Sequence, residues 1–219
     1  MPYETRDHGE LRVTFTNEFD WKYNEQGTRA RSKVTFYHAK PQGDLRPLGS
    51  FVSPSHQDHD DKRATILLGN APNSNMTAVA SPTEFSQIWN DLGSNGTHDG
   101  SIWMPNPPPG YVPLGHVCTT GYSAPSTSSI WCIRADLALS SRYAMRSIWD
   151  DEGSGSNRDV SIWNMTKLPV GGGDFDEDHV FPDLFISNYQ HNKPRLEDAW
   201  VLNLPEDFGR ISVDLATPA

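Results

Sequence analysis

The sequence predicts an all-β protein of β-prism type, in which three four-stranded antiparallel sheets are related by pseudo-threefold symmetry. Three observations predict this fold. One sequence segment occurs three times, apolar and polar residues alternate along most of the chain, and glycine and proline number 17 each. Alternation is typical of half-buried strands, and glycine and proline mark the turns between short strands.

The three copies align without a gap across a hairpin-sized segment. A repeat of this kind indicates one supersecondary unit used several times, and three copies in 219 residues favour a closed arrangement over an open array. The aligned segments run over 23–37, 89–103 and 149–163, inside repeats that cover about 11–68, 85–135 and 144–204. We expect residues 1–219 to form a single domain.

Each repeat is expected to supply four strands. In the second repeat, Phe85–Asp91 and Gly100–Met104 alternate and flank a glycine-rich turn, a proline-rich corner follows, and Tyr111–Cys118 and Ser129–Ala135 complete the sheet. The corresponding strands are 11–23, 33–38, 45–52 and 64–68 in the first repeat, and 144–150, 160–165, 180–187 and 199–204 in the third. Ile-Trp pairs recur in these strands, so that one side chain of each pair faces the core.

Composition excludes several classes of function. The net charge is −10 and no basic run is present, so we expect no nucleic-acid partner. The sequence contains no run of 18 apolar residues, so we expect no transmembrane helix. The first residues lack the apolar segment of a signal peptide. Two reduced thiols are expected for Cys118 and Cys132, although a disulfide between neighbouring strands stays open.

Several strings resemble one family. Ile88-Trp-Asn-Asp-Leu-Gly-Ser94, Ser101-Ile-Trp-Met-Pro-Asn-Pro-Pro-Pro-Gly-Tyr-Val-Pro-Leu-Gly-His-Val117 and Ile148-Trp-Asp-Asp-Glu-Gly-Ser-Gly155 are similar to the vacuolar protein sorting-associated protein 62 family of fungi and plants. The resemblance covers about residues 10–205. It implies a β-rich repeat domain, a cytoplasmic location or one peripheral to vacuolar or endosomal membranes, and a link to vacuolar sorting. It implies no catalytic residues.

The chain departs from this pattern twice. The first repeat lacks the acidic and Gly-Ser positions of its turn, and the third lacks the Pro-Leu-Gly strand that Pro47 and Pro113 begin in the other two. A symmetrical function at three equivalent sites is therefore not expected.

The repeated turns are the first candidate site. In the second and third repeats, two carboxylates flank glycines and a serine, and these oxygens could bind Ca²⁺ or sugar hydroxyls. The alternative is that aspartate and glycine only form the turn. With a neighbouring tryptophan in each case, the candidate binding residues are Trp89, Asp91, Ser94, Asp99, Trp149, Asp151, Ser154 and Asp159, the four aspartates being the calcium ligands. The first repeat has Glu25 and Lys33 at the carboxylate positions and is expected to be inactive.

A second candidate is the loop Ser55–Asp61, where His56 and His59 have the spacing of zinc ligands. A solvated polar loop is the favoured alternative. The same applies to the acidic segment Asp174–Asp178, which follows a run of glycines.

These observations favour a non-catalytic, lectin-like binding module for a protein or carbohydrate partner. An enzyme is not excluded, and a metal-assisted one would use the His56 loop or the acidic segment. The receptor-binding part of a pore-forming or defence protein is a third hypothesis. The ligand, the oligomeric state and the exposed tryptophans are not determined by the sequence.

Overall fold

The computed structural model of the protein describes residues 3–59, 62–74, 77–166 and 183–204. The predicted all-β class is confirmed, since these residues form antiparallel strands and two single-turn 3₁₀ helices, 135–137 and 196–198. The strands are β1 (Arg6–His8), β2 (Leu11–Thr16), β3 (Phe19–Asn24), β4 (Thr35–Ala39), β5 (Phe51–Ser53), β6 (Thr65–Asn70), β7 (Val79–Ala80), β8 (Glu84–Asn90), β9 (Gly100–Asn106), β10 (Tyr111–Val112), β11 (Val117–Thr120), β12 (Cys132–Arg134), β13 (Ala138–Ser140), β14 (Arg142–Tyr143), β15 (Trp149–Asp150), β16 (Ser161–Thr166), β17 (Phe185–Asn188) and β18 (Trp200–Leu202). Among the described residues, no helix is long and apolar enough to cross a membrane.

Three hairpin sheets carry the repeated segments. They have the strand orders β3-β4-β5, β8-β9-β11 and β15-β16-β17, and β14 also pairs with β16. The register is the same in all three: Tyr23 lies opposite Phe36, Trp89 opposite Ile102, and Trp149 opposite Ile162. These pairs lie at the positions that the gap-free sequence alignment makes equivalent.

The remaining strands form a second group of sheets, with the orders β1-β2-β6, β7-β12-β10 and β13-β18. The described strands therefore make sheets of two to four strands, whereas the sequence predicted three sheets of four. The difference arises where a long predicted strand is interrupted. The segment 11–23 breaks at Asn17 and Glu18, where the Glu18 N–H turns to the Thr16 hydroxyl (3.2 Å), and its two halves join different sheets.

Each group of sheets encloses its own apolar core. The core of the hairpin sheets is aromatic: Trp89 lies 5.6 Å from Tyr23 and 6.0 Å from Trp149 between ring centroids, both in edge-on geometry. The second core is aliphatic and is lined by Leu11, Val13, Leu48, Ile66, Leu68, Val79, Leu114, Ile133, Leu184 and Leu202.

Backbone hydrogen bonds join the three repeated turns in a ring. Each turn donates an N–H to the carbonyl of another, so that the second turn bonds to the first, the third to the second and the first to the third. The bonds are Thr97 N–H to Gln26 O (2.7 Å), Asn157 N–H to Leu92 O (2.8 Å) and Arg31 N–H to Glu152 O (3.3 Å). Each turn is therefore bonded to both of the others.

The two Pro-Leu-Gly segments lie outside the strands, and their backbones approach each other closely. A Cβ added to Gly49 would lie 2.9 Å from the Gly115 Cα, and one added to Gly115 would lie 3.1 Å from the Leu184 Cβ. Leu184 thus lies beside Gly115, so the third repeat also reaches this point although it lacks the Pro-Leu-Gly sequence.

We expect Gly49→Ala to lower the free energy of unfolding by about 2 kcal/mol, because backbone atoms cannot yield to the added methyl group. Gly69→Ala is the matched control, since the one atom that its Cβ would crowd is the end of the Leu45 side chain, while the Asp44 backbone lies at ordinary contact distance. Urea unfolding of both variants measures the difference. Equal midpoints would contradict the close approach of Gly49 and Gly115.

Candidate functional site

The turn carboxylates are structural acceptors. In each repeat the first carboxylate of the turn is buried and accepts the backbone N–H nine residues further along, which fixes the start of the returning strand. The bonds are Val34 N–H to Glu25 Oε2 (2.8 Å), Gly100 N–H to Asp91 Oδ1 (3.1 Å) and Val160 N–H to Asp151 Oδ1 (2.9 Å). Glu25 therefore makes this bond as the aspartates do, although its repeat was expected to be inactive.

The predicted serines act inside the same turns. The Ser94 hydroxyl donates to Asp91 Oδ2 and the Ser154 hydroxyl to Asp151 Oδ2, both at 3.3 Å. Each serine oxygen also accepts the N–H two residues further on, at 3.1 Å from Gly96 and 3.0 Å from Ser156. Both serines are buried. They satisfy turn backbone and offer little surface to a ligand.

Asp151 has the fullest set of donors. Besides Val160 N–H and the Ser154 hydroxyl, it accepts the Trp89 indole N–H at 3.1 Å and His191 Nε2–H at 2.8 Å. A carboxylate has about four lone-pair directions, so these four donors occupy it. Asp151 thereby ties the second repeat, the third turn and the segment after β17 together.

His191 is a site residue that sequence reasoning missed. Its Nε2 lies 2.8 Å from Asp151 and 4.0 Å from the exposed Asp159. Burial opposes the charged imidazolium, but the hydrogen bond to Asp151 and the nearby carboxylates outweigh it and raise the pKa of His191. The repeats share a pattern that points to His191: a histidine or tyrosine follows the third strand of each hairpin sheet, at His56, Tyr122 and His191. His56 contacts Glu25 at 2.8 Å, and the Tyr122 hydroxyl donates to Asp99 at 3.0 Å.

One cluster of the described residues has metal-ligand character. Asp151, Asp159 and His191 each bring a ligand atom within 4.8 Å of the others. The fit to Ca²⁺ is poor, because Ca²⁺ takes six to eight oxygens, one of the three groups is an imidazole, and the Asp151 oxygens are already bonded. Calcium at Asp91 and Asp99 or at Asp151 and Asp159 stays a prediction.

The histidines of the predicted zinc loop have separate partners. His56 is bonded to Glu25, while His59 is buried, bonded to the Ser53 hydroxyl at 2.8 Å, and packed edge-on against Phe51. Among the described residues, no potential metal cluster contains either histidine. Asp60, Asp61 and the acidic segment 174–178 lie outside the described residues.

The two predicted binding tryptophans are core residues. Trp89 is 0% exposed and Trp149 is 2% exposed, and the Trp149 indole N–H donates to Ser32 O at 3.0 Å. An indole enclosed in this way has no free face for a ligand. The aromatic side chains that do reach a concave surface are found elsewhere.

They lie in a groove of about 440 Å³ between the second and third hairpin sheets. We call it the Tyr189–Trp200 groove. Tyr189 is 55% exposed, Trp200 is half-buried, and Arg195, Glu197 and Asp198 lie along the same groove. Asp198 makes no hydrogen bond through its carboxylate among the described residues. Burial and the neighbouring Glu197 raise the pKa of Asp198, against the opposing charge of Arg195.

His116 also lines this groove and is only 4% exposed. Ser187 N–H points at His116 Nδ1 (3.1 Å), and the Ser187 hydroxyl lies 2.6 Å from the same atom. Because the direction of a backbone N–H is fixed, Nδ1 must be an acceptor, and the neutral ring then carries its proton on Nε2. Burial lowers the pKa of His116 to about 3, which keeps the ring neutral. Among the described residues, Nε2–H has no hydrogen-bond partner.

The other two junctions between hairpin sheets differ. The groove between the third and first sheets has Pro54 where the Tyr189–Trp200 groove has Tyr189, and it contains Arg63 and Arg146. At the junction of the first and second sheets, the Thr120 hydroxyl bridges to Lys22 O at 2.9 Å. Aromatic walls and an N–H donor without a protein partner therefore occur together at one junction of the described structure.

Comparison with known proteins gives the family. The model of the vacuolar protein sorting-associated protein 62 family matches residues 4–198, most of the chain. The chain belongs to this family. The resemblance seen in the repeated strings is thereby confirmed, and no curated protein matches the sequence.

A solved structure shares the fold of this family member. The crystal structure of GNIP1Aa from Chromobacterium piscinae matches with a TM-score of 0.68 and 18% sequence identity. The match covers 87% of this chain and 37% of that chain, so the chain spans little more than a third of GNIP1Aa. At this identity the likeness concerns the fold alone.

Proposed function

We propose that this protein is a non-catalytic binding module and that the Tyr189–Trp200 groove receives its ligand. The observation that supports this most is the combination of surfaces in the groove. Two aromatic side chains, an unbonded carboxylate and a buried histidine with an unpaired N–H surround one concavity. Apolar walls with a few convergent polar groups are typical of ligand sites.

Catalysis finds less support at the same place. The described pair that most resembles a nucleophile and its base is Ser187 with His116. A general base works best when its pKa is near the working pH, whereas burial lowers the pKa of His116 to about 3. Nδ1 is also occupied by the Ser187 N–H. A metal-assisted enzyme at His56 and His59 is disfavoured because each histidine is bonded to a different partner.

The partner is a protein or a carbohydrate. The groove favours a carbohydrate, while family membership favours a protein connected with vacuolar sorting, met in the cytoplasm or at vacuolar or endosomal membranes. The receptor-binding part of a pore-forming or defence protein remains an alternative role for the same module.

The test compares the wild-type chain with the double variant Tyr189→Ala, Trp200→Ala on a glycan array and in a pull-down from lysate. We expect a ligand that the wild-type chain captures and the double variant loses. If neither assay detects a ligand, the binding-module proposal is contradicted. If the double variant captures the ligand as well as the wild-type chain does, the groove is not the binding site.

A further inference from the structure

We propose that the Tyr189–Trp200 groove binds one neutral sugar residue per chain, a proposal that rests on the binding function above. A pyranose ring offers an apolar C–H face and a rim of hydroxyl groups that both donate and accept. The groove presents the matching set, with aromatic walls, a donor and an acceptor.

The aromatic walls supply the apolar contact. Tyr189 is 55% exposed, a large apolar ring held open to solvent beside the half-buried Trp200. Exposed aromatic rings at a concave site are suited to flat ligands, because they contribute much area and lose little side-chain entropy. The groove volume of about 440 Å³ falls in the range of small-ligand sites.

The polar groups supply the orientation. His116 Nε2–H has no hydrogen-bond partner among the described residues, and its nitrogen keeps solvent contact at the groove that the ring lines. A hydroxyl oxygen of the ligand would satisfy it. The Asp198 carboxylate would accept a hydroxyl proton, and because it has no hydrogen bond in the described structure, it is available for this.

Charge limits the class of sugar. Glu197 and Asp198 outnumber Arg195, and Glu197 already holds Arg195 at 3.1 Å. The chain carries a net charge of −10. Sialic acids, uronic acids and sugar phosphates would meet repulsion here, so the ligand is neutral.

The stoichiometry follows from the other junctions. The groove between the third and first sheets contains two arginines and a proline at the position of Tyr189, and the remaining junction is bridged by Thr120. One sugar site is therefore expected, in spite of the repeated hairpins.

The experiment uses the full chain with glucose, galactose, mannose and N-acetylglucosamine as probes, measured by saturation-transfer NMR and calorimetry. We expect at least one of them to bind at a single site with a dissociation constant of about 10⁻³ M. Trp200→Ala and Tyr189→Ala should each weaken it about tenfold or more. Trp21→Ala is the matched control, because Trp21 is a similarly exposed aromatic outside the groove.

A second readout follows His116 directly. In long-range ¹H–¹⁵N spectra the ring should show the neutral Nε2–H tautomer, and its signals should move when the sugar is added. No binding by any of the four sugars, or binding that both groove variants leave unchanged, would overturn the proposal. If instead the wild-type chain captures a protein that Tyr189→Ala loses while no sugar binds, the sugar site is wrong and the binding module stands.

Discussion

Replacing Asp151 by alanine is expected to lower the free energy of unfolding by about 3 kcal/mol. The substitution removes the acceptor of four hydrogen bonds, two of which come from the buried Val160 N–H and Trp89 indole N–H. The Val160 N–H would be left unpaired in the core of the hairpin sheets, and the Trp89 indole N–H would keep only Arg158 O as its acceptor. For a chain of this length, the melting temperature should fall by about 6–12 °C, measured by calorimetry or circular dichroism.

Asp159→Ala is the control for this variant. Asp159 is 66% exposed and approaches His191 only at 4.0 Å, so its loss should cost less than about 0.5 kcal/mol. The pair also separates the two explanations of the turn carboxylates. If the carboxylates are structural, Asp151→Ala should lose much more stability than Asp159→Ala, and neither loss should depend on Ca²⁺. A calcium site predicts that millimolar Ca²⁺ raises the melting temperature of the wild-type chain and that both variants lose this rise.

The sequence identified the turn carboxylates but could not give their role. Asp91 and Asp151 stand beside glycine and serine, and this pattern fits both a turn and an oxygen-ligand site. The choice depends on which donors reach the oxygens. One donor to Asp151 comes from Trp89 in another repeat and one from His191, forty residues away in sequence. Contacts of this kind are set by packing, which local pattern does not contain.

In the fold, too, pairing between strands close in sequence was predicted, whereas pairing between distant strands was not. Hairpin pairing depends on neighbouring residues, and the alignment at Tyr23, Trp89 and Trp149 anticipated the register of all three hairpins. The pairing of the fourth predicted strands joins segments far apart in sequence, such as β2 with β6. Alternation alone does not select the partner of a strand.

The groove could not be predicted because its residues act through position alone. Tyr189 and Trp200 lie in the third repeat after its hairpin, at places with no motif, and His116 comes from the second repeat. The sequence did not determine which tryptophans are exposed to solvent, because burial depends on what packs above a strand as well as on which way the side chain points.

Trp89→Ala is expected to cost about 4 kcal/mol of folding free energy, against about 1 kcal/mol for Trp200→Ala. Trp89 is 0% exposed, contacts Tyr23 and Trp149 edge-on, and donates its indole N–H to Asp151 and to Arg158 O. Its removal leaves a large cavity and takes away one of the two donors to Asp151 Oδ2. Trp200 is half-buried at the groove, so solvent replaces much of what it loses.

Chemical unfolding of the two variants measures this difference, and Trp89→Phe covers the case in which Trp89→Ala does not fold. Phenylalanine keeps most of the ring volume but cannot donate to Asp151, so Trp89→Phe should lose about 1–2 kcal/mol. Sugar affinity should fall in Trp200→Ala, which loses a wall of the groove, and should be kept in Trp89→Phe, which retains the groove. Similar losses of stability in Trp89→Ala and Trp200→Ala would contradict the assignment of Trp89 to the core and of Trp200 to the surface.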